Sequence, residues 1–167
     1  EELRKRNSCI RILENTETTT PAGLNLGIGA ARGDVIMILG GHAELTHGYL
    51  QSCHQILKSD SSIGCAGGRI ENQYQNSASA AIGYAMNSSF GVGNAYFRMG
   101  TRSGFVDTVA YGMYTREVIN RVGFFNEKLI RNQDDDFNYR ITQAGIKIYL
   151  DNDLKIKYYS RTSLKRL

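Results

Sequence analysis

The chain has 167 residues, 41% apolar and 22% charged, with a net charge of +4, an ordinary globular composition that suits one domain with a real core. The longest aliphatic run, Val35-Ile36-Met37-Ile38-Leu39, is too short to span a bilayer, and no charged-then-apolar secretory segment opens the sequence. Cys9, Cys53 and Cys65 are odd in number and lack paired zinc-ligand spacing, which argues against a disulfide framework and for reduced thiols in a cytosolic protein.

In chain order, Cys9-Ile10-Arg11-Ile12-Leu13 reads as a short strand. Thr20-Pro21 reads as a helix start, with threonine as the cap and proline in the first helical position, where its missing N–H costs nothing. Leu24, Ile28 and Ala31 form the buried stripe of that helix, and Gly33 ends it. The run from Val35 has no polar alternation, which predicts a strand covered on both faces. A second helix is expected over residues 46–58, with Leu50, Cys53, Ile56 and Leu57 on one face, and a strand over residues 62–70. This alternation defines a layered α/β domain.

Residues 71–105 are harder to place. Ala78, Ala80, Ala81, Ala85 and Met86 suit a helix, whereas Gly91, Gly93, Gly100 and Gly104 suit a loop, and long irregular segments in compact domains are often functional. A strand over residues 106–114, a helix over 116–121 and a closing strand over 146–150 complete the pattern.

Between the last two lies Arg131-Asn132-Gln133-Asp134-Asp135-Asp136-Phe137-Asn138-Tyr139-Arg140. Phe137, Ile141 and Ala144 recur at helical spacing and Gly145 supplies a stop, so three adjacent carboxylates crowd a helix N-terminus. They favour the helix dipole, but one acid would suffice for that, and the cluster is equally a candidate for chemistry. Lys155, Lys157, Arg161, Lys165 and Arg166 form a basic tail over residues 155–167, suited to substrate phosphates, an anionic membrane surface or solvent. No nucleic-acid motif is present, so nucleic acid is not an expected partner.

Several motifs fail on inspection. Gly27-Ile28-Gly29-Ala30-Ala31-Arg32 starts like a dinucleotide loop, but arginine stands where the third glycine is needed. His42-Ala43-Glu44 matches half of a zinc-deaminase signature whose cysteine half is missing. There is no P-loop lysine motif and no G-x-S-x-G elbow.

Asn25 with Gly27, Gly33-Asp34 before an apolar strand, and the segment from Gly104 to Gly145 together resemble an inverting family 2 glycosyltransferase of the GT-A fold. Val106-Asp107-Thr108 through Gly112, Val122-Gly123-Phe124-Phe125-Asn126-Glu127, Asn132-Gln133-Asp134-Asp135 and Tyr139-Arg140 most resemble the bacterial exopolysaccharide enzymes of the succinoglycan type. The resemblance implies a GT-A-like, Rossmann-like α/β fold: a mixed, mostly parallel sheet flanked by helices. Residues 1–167 would be one partial domain, the C-terminal two-thirds, beginning after the strand and helix that bind the nucleotide base and ribose. A sheet lacking its first strands exposes an edge, which favours a homo-oligomer.

The implied activity is sugar transfer from a nucleotide-sugar donor, UDP-sugar foremost, to a polysaccharide or lipid-linked oligosaccharide acceptor. The implied place is the cytoplasm, at the inner face of the membrane. Asp134 falls at the aspartate of the family's acidic motif, the base that takes the acceptor's proton, with Gln133 replacing the usual glutamate and Asp135 in reserve. Like charges so close raise the pKa of at least one carboxylate. The family places Asp-x-Asp or Asp-x-His after the strand ending at Leu39 and binds a divalent cation, Mg or Mn, through its second member. Here the sequence is Gly40-Gly41-His42, leaving His42 as the metal-ligand candidate.

Arg161 stands where relatives carry a further histidine, and a guanidinium can clamp phosphate oxygens without a metal. Asp107 is expected near a sugar. Gly67 and Gly68, read as a strand end, would let a sugar approach the backbone, and Tyr111 and Tyr114 are candidates to stack on sugar rings or to fill the core. The alternative is a degenerate, non-catalytic GT-A module that binds carbohydrate or a protein. A calcium-binding module built on the three acids is weaker, because the glycine-containing EF-hand loop is absent.

Overall fold

The computed structural model describes residues 7–74, 76, 77, 80, 96–99 and 102–159. Helix α1 (Thr20–Ala30) leads into strand β1 (Val35–Met37) and strand β2 (Ala43–Leu45). Helix α2 (Tyr49–Ser59), strand β3 (Ile63–Gln73), the single turn α3 (Tyr96–Met99), strand β4 (Gly104–Val106) and strand β5 (Met113–Thr115) follow. Helix α4 (Arg116–Val122), helix α5 (Gln133–Gln143) and strand β6 (Lys147–Tyr159) complete the described order.

The strands form one mixed sheet, β1-β5-β3-β6-β2, with β4 also paired to β6. Its long central pair, β3 with β6, is parallel, and the short strands join antiparallel. Strands β1, β3 and β6 therefore share one direction. β4 pairs residues 148–150 of β6 and β2 pairs residues 156–158, so a thirteen-residue strand gives successive halves of one edge to two different neighbours.

Helices cover both faces. On one, Ile28 of α1, Val118 and Ile119 of α4, and Phe137 and Ile141 of α5 meet Ile36, Cys65, Tyr114, Ile148 and Leu150 of the sheet. On the other, Tyr49, Cys53 and Leu57 of α2 meet Ile63, Ala66, Met113 and Ile156. Adjacent residues Met113 and Tyr114 thus enter opposite cores, as the two-residue period of a strand requires. The same is true of β1: Ile36 faces one core while Val35 and Met37 pack on the other, which is the two-sided cover its apolar run predicts.

Local readings shift in instructive ways. Residues 9–13 form no strand; Ile12 is 56% exposed, and Arg11 Nη1 donates to the Ala30 carbonyl at 3.0 Å. The cap of α1 is Thr19, one residue earlier than expected, with Pro21 inside the first turn. In α2 the buried stripe starts at Tyr49, and Leu50 is 49% exposed. Tyr49 wins because its hydroxyl accepts the Gly68 N–H at 2.7 Å, filling a bond that β3 leaves open there.

The strand expected over residues 106–114 is two strands, β4 and β5, with a crossover between them. β4 lies on the outer edge of β6 and β5 lies beyond β3, so the connection must pass over both. It does so where β3 has no side chain: a Cβ on Gly67 would stand 3.1 Å from Val109 Cβ. Gly67 and Gly68 are accordingly mid-strand packing positions and not a strand end. A Cβ on Gly68 would come within 2.4 Å of the Leu154 carbonyl oxygen, at the bulge where β6 shifts register.

The closing strand runs to Tyr159, well past residue 150, and takes in the start of the basic tail. Lys155 pairs with Glu71 at 3.1 Å and Lys157 with Glu44 at 2.8 Å. Those two cations are a sheet-surface feature. Cys9 is exposed while Cys53 and Cys65 are buried, all as free thiols. Among the described residues no helix is long and apolar enough to cross a membrane.

Candidate active site

A cleft of about 290 Å³ opens at the C-terminal end of β1, where sheets of this kind place their ligands. Its wall is built from three directions. The chain leaving β1 supplies Gly40 and His42, the crossover supplies Tyr111, and the first turn of α5 supplies Gln133 and Asp134; Arg98 of α3 and Tyr158 of β6 complete the rim.

His42 is held from several sides. The Ala43 N–H bonds the Gly40 carbonyl at 3.1 Å in a tight turn, and the Tyr159 N–H bonds the His42 carbonyl at 3.0 Å. The Tyr158 ring meets the imidazole edge-on at 4.8 Å. The Tyr111 hydroxyl lies 3.1 Å from His42 Nε2. Tyr111 has a left-handed backbone, φ 52°, uncommon for a non-glycine residue, and this conformation lays its ring against Gly40. A Cβ at Gly40 would sit 3.0 Å from Tyr111 Cε1 and 3.3 Å from its hydroxyl. Burial first, then Tyr158, and to a lesser degree Asp134, push the Tyr111 hydroxyl up to about 12 against the opposing pull of Arg98, so it stays protonated at neutral pH.

The three aspartates have separate fates. Asp134 lines the main cleft. Asp135 turns into a neighbouring hollow of about 380 Å³ with Asp107, Thr108 and Tyr139. Asp136 pairs with Arg140 one turn on, at 3.0 Å, and Arg140 also donates to the Val122 and Phe124 carbonyls. Asp136 is therefore committed to holding the loop before α5. None of the three is the cap itself, which is Asn132 in a left-handed conformation, φ 58°. The expected rise in one carboxylate's pKa falls on Asp135, through burial first and the Asp134 charge second, with a Thr108 hydrogen bond opposing.

Two asparagines that sequence reading passes over or leaves without a role organise this surroundings. Asn25 donates to the Phe125 carbonyl and to Glu127 and accepts the Phe125 N–H, pinning a cleft-lining aromatic to α1. Asn138, wholly buried, accepts from the Tyr114 hydroxyl at 3.2 Å and donates to Thr108 Oγ1 and the Val109 carbonyl, fixing the crossover to α5. Tyr114 is thereby a core residue. Asn138 stands three places before Ile141 of the apolar stripe, a spacing that puts this polar side chain on the inward face of the helix.

The expected positions divide cleanly. His42 and Asp134 share the main cleft, Asp107 and Asp135 share the hollow, and Gly67 and Gly68 line neither. Arg161 lies outside the described residues. Among the described residues no group of three His, Cys, Asp or Glu side chains converges that could hold a metal ion by itself. Gly40 brings no carboxylate, and His42 Nε2 is engaged by Tyr111 as donor or acceptor.

No protein-family model matches the chain. It is 30% identical over 172 residues, 99% of its length, to the dolichyl N-acetyl-alpha-D-glucosaminyl phosphate 3-beta-D-2,3-diacetamido-2,3-dideoxy-beta-D-glucuronosyltransferase of Methanococcus voltae, and covers 53% of that protein. Over 84 residues, half the chain, it is 27% identical to succinoglycan biosynthesis protein ExoA of Rhizobium meliloti (strain 1021), covering 26% of it. Among solved structures, 97% of the chain superposes on 34% of GalNAc-T7, crystallised with UDP, GalNAc and Mn2+, at a TM-score of 0.71 and 14% identity. S. aureus TarS 1-349 matches 89% of the chain at a TM-score of 0.59 and 13% identity, over 42% of that protein.

The architecture is thus the GT-A fold. The chain's homologues are glycosyltransferases, and it spans about half the length of the Methanococcus enzyme.

Proposed function

We propose that the chain belongs to an inverting glycosyltransferase that moves a sugar from a nucleotide donor, UDP-sugar foremost, to a lipid-linked oligosaccharide or polysaccharide. The observation that carries this reading is the placement of Asp134: of the three adjacent acids, it alone faces the cleft at the end of β1. In this reading the acceptor oxygen attacks the anomeric carbon opposite the leaving group. The bond from that carbon to the phosphate oxygen breaks, its electron pair leaves with the diphosphate, and the acceptor's proton passes to the Asp134 carboxylate. His42, steadied by Tyr111 and Tyr158, shapes the donor side of the cleft. Asp107, Asp135 and the exposed Tyr139 border the hollow where an acceptor glycan would extend, aromatic face and carboxylates both being suited to sugar rings and hydroxyls. The proposal includes work at the cytoplasmic face of a membrane, where a lipid-linked acceptor is presented.

The test is sugar transfer from radiolabelled UDP-sugars by the full-length protein. Asp134→Asn is expected to lower kcat about 10²- to 10⁴-fold, the range for loss of a general base, while Asp135→Asn stays within several-fold. The reverse ranking would move the base to Asp135. Undiminished transfer in both variants would remove the acidic helix from the chemistry.

A further inference from the structure

A diphosphate leaving group needs positive charge, and the carboxylate–metal arrangement that would supply it is not formed by the described residues. Among the described residues, the same cleft does contain a cation. Arg98, from the turn α3, lines it together with Gly40, His42, Tyr111 and Asp134. Its Nη1 is buried and has no hydrogen-bond partner, a costly state for a charged donor. No ion pair within 4.0 Å joins Arg98 to Asp134 or to any other described acid. The guanidinium carbon lies 5.5 Å from the centre of the Phe97 ring, a contact that orients the group without satisfying an N–H.

From this geometry we propose that Arg98 is an anion-binding residue that receives the diphosphate of the nucleotide donor, in the cleft where Gly40 leaves no carboxylate for a metal. This deepens the glycosyltransferase reading and rests on it for the donor's identity, but the anion site itself is defined by Arg98. Arg98 borders a space lined largely by apolar and aromatic groups, Leu24, Ile38, Val109 and Phe125 among them, where water competes weakly and a charge-assisted bond to a phosphate oxygen gains strength. A planar guanidinium can take two oxygens at once. The Tyr111 ring is laid on Gly40, so that any side chain at position 40 would begin in tight contact with it. Asp134 in the same cleft keeps the site from being a general anion trap: a group bearing charge at one end and an apolar or neutral sugar at the other fits it better than a small free anion.

Inorganic pyrophosphate tests the site without the base-binding half of the donor. Calorimetric titration of the chain with pyrophosphate in EDTA is expected to show binding. Arg98→Gln should weaken it about ten- to a hundredfold, the loss of one or two charge-assisted bonds, and Arg98→Lys should recover part of it. Lys58→Gln, in the last turn of α2, serves as the charge-matched control and should bind like the parent. Circular dichroism and thermal melting establish that each variant is folded. UDP should follow the same ranking and uridine should be indifferent to position 98. No pyrophosphate binding by the parent, or equal binding by Arg98→Gln, overturns the proposal. Pyrophosphate binding that depends on Arg98, in a full-length protein that transfers no sugar, would keep the anion site and sink the transferase reading. Transfer that persists unchanged in Arg98→Gln would sink the anion site alone.

Discussion

The Tyr111 hydroxyl bonds His42 Nε2 at 3.1 Å while its ring stands where a side chain at Gly40 would go. One residue therefore bears on both candidate metal-ligand positions: it engages His42 Nε2 and stands in tight contact with the place a side chain at position 40 would take. Its backbone is held at φ 52°, a conformation uncommon for a residue with a side chain.

From this follows an order of substitutions. Gly40→Asp alone restores a carboxylate in sequence but sets its Cβ 3.0 Å from the Tyr111 ring, and is expected to gain no measurable manganese affinity. Gly40→Asp combined with Tyr111→Ala clears the ring and frees His42, and should bind Mn2+ through a carboxylate and an imidazole, ligand types manganese accepts. Electron paramagnetic resonance of free Mn2+ separates the two. Equal affinity in the single and double variants would show that Tyr111 is not the obstacle.

The contrast between Asp136 and its neighbours yields a second expectation. Asp136→Asn breaks the ion pair that steadies Arg140 on the Val122 and Phe124 carbonyls, but touches neither cleft. Both partners are partly exposed, so the loss in urea unfolding should be about 0.5–1 kcal/mol after allowance for screening. Transfer activity should be retained. A large fall in kcat with unchanged stability would reverse the roles argued for the three acids.

How much of this was open to sequence reading differs by length scale. The alternating α/β order, the helix of the acids with its stop at Gly145, φ 74°, and the two-sided cover of β1 depend on local periodicity, and they were legible. The division of labour among Asp134, Asp135 and Asp136 was not. Successive helical residues diverge by 100°, and which direction holds a cleft depends on the crossover packed beside α5. The crossover itself was hidden because Val109 and its neighbours are as apolar as any strand; only the pairing of β4 and β5 to different partners reveals it. Arg98 could not be singled out from sequence, since its significance is a buried, unpaired atom. Gly67 and Gly68 were visible as unusual, but glycine signals equally a ligand's approach and a neighbouring chain's.

Asp135 gives a pH dependence with a definite sign. Its pKa in the folded chain is raised above the ordinary 3.8, so folding takes up a proton between the two values. Stability from this group is fully present below the unfolded value and is lost as pH rises through the folded one. Asp135→Asn removes the penalty, and should raise the melting temperature slightly at pH 7 and not at all below about pH 3, well under that unfolded value. The effect is small because the carboxylate is only partly withdrawn from solvent. A melting gain that grew toward acid pH would contradict the sign.

The crossover predicts where the fold is most sensitive. Asn138 is buried and serves Tyr114, Thr108 and Val109 together. Asn138→Ala strands two hydroxyls and a carbonyl and should cost about 2–4 kcal/mol in urea unfolding. Asn138→Asp keeps an acceptor for Tyr114 but loses both donated bonds and buries a charge, so it should be worse than alanine at neutral pH and approach it on acidification. Tyr49→Phe isolates the matching bond on the opposite face: the Gly68 N–H is left without its 2.7 Å partner, at about 1–3 kcal/mol. Gly68→Ala should be more damaging still, because its Cβ meets backbone at Leu154 and not a yielding side-chain end. Denaturant midpoints rank the four, and a Gly68→Ala variant as stable as the parent would show that the β6 bulge can move aside.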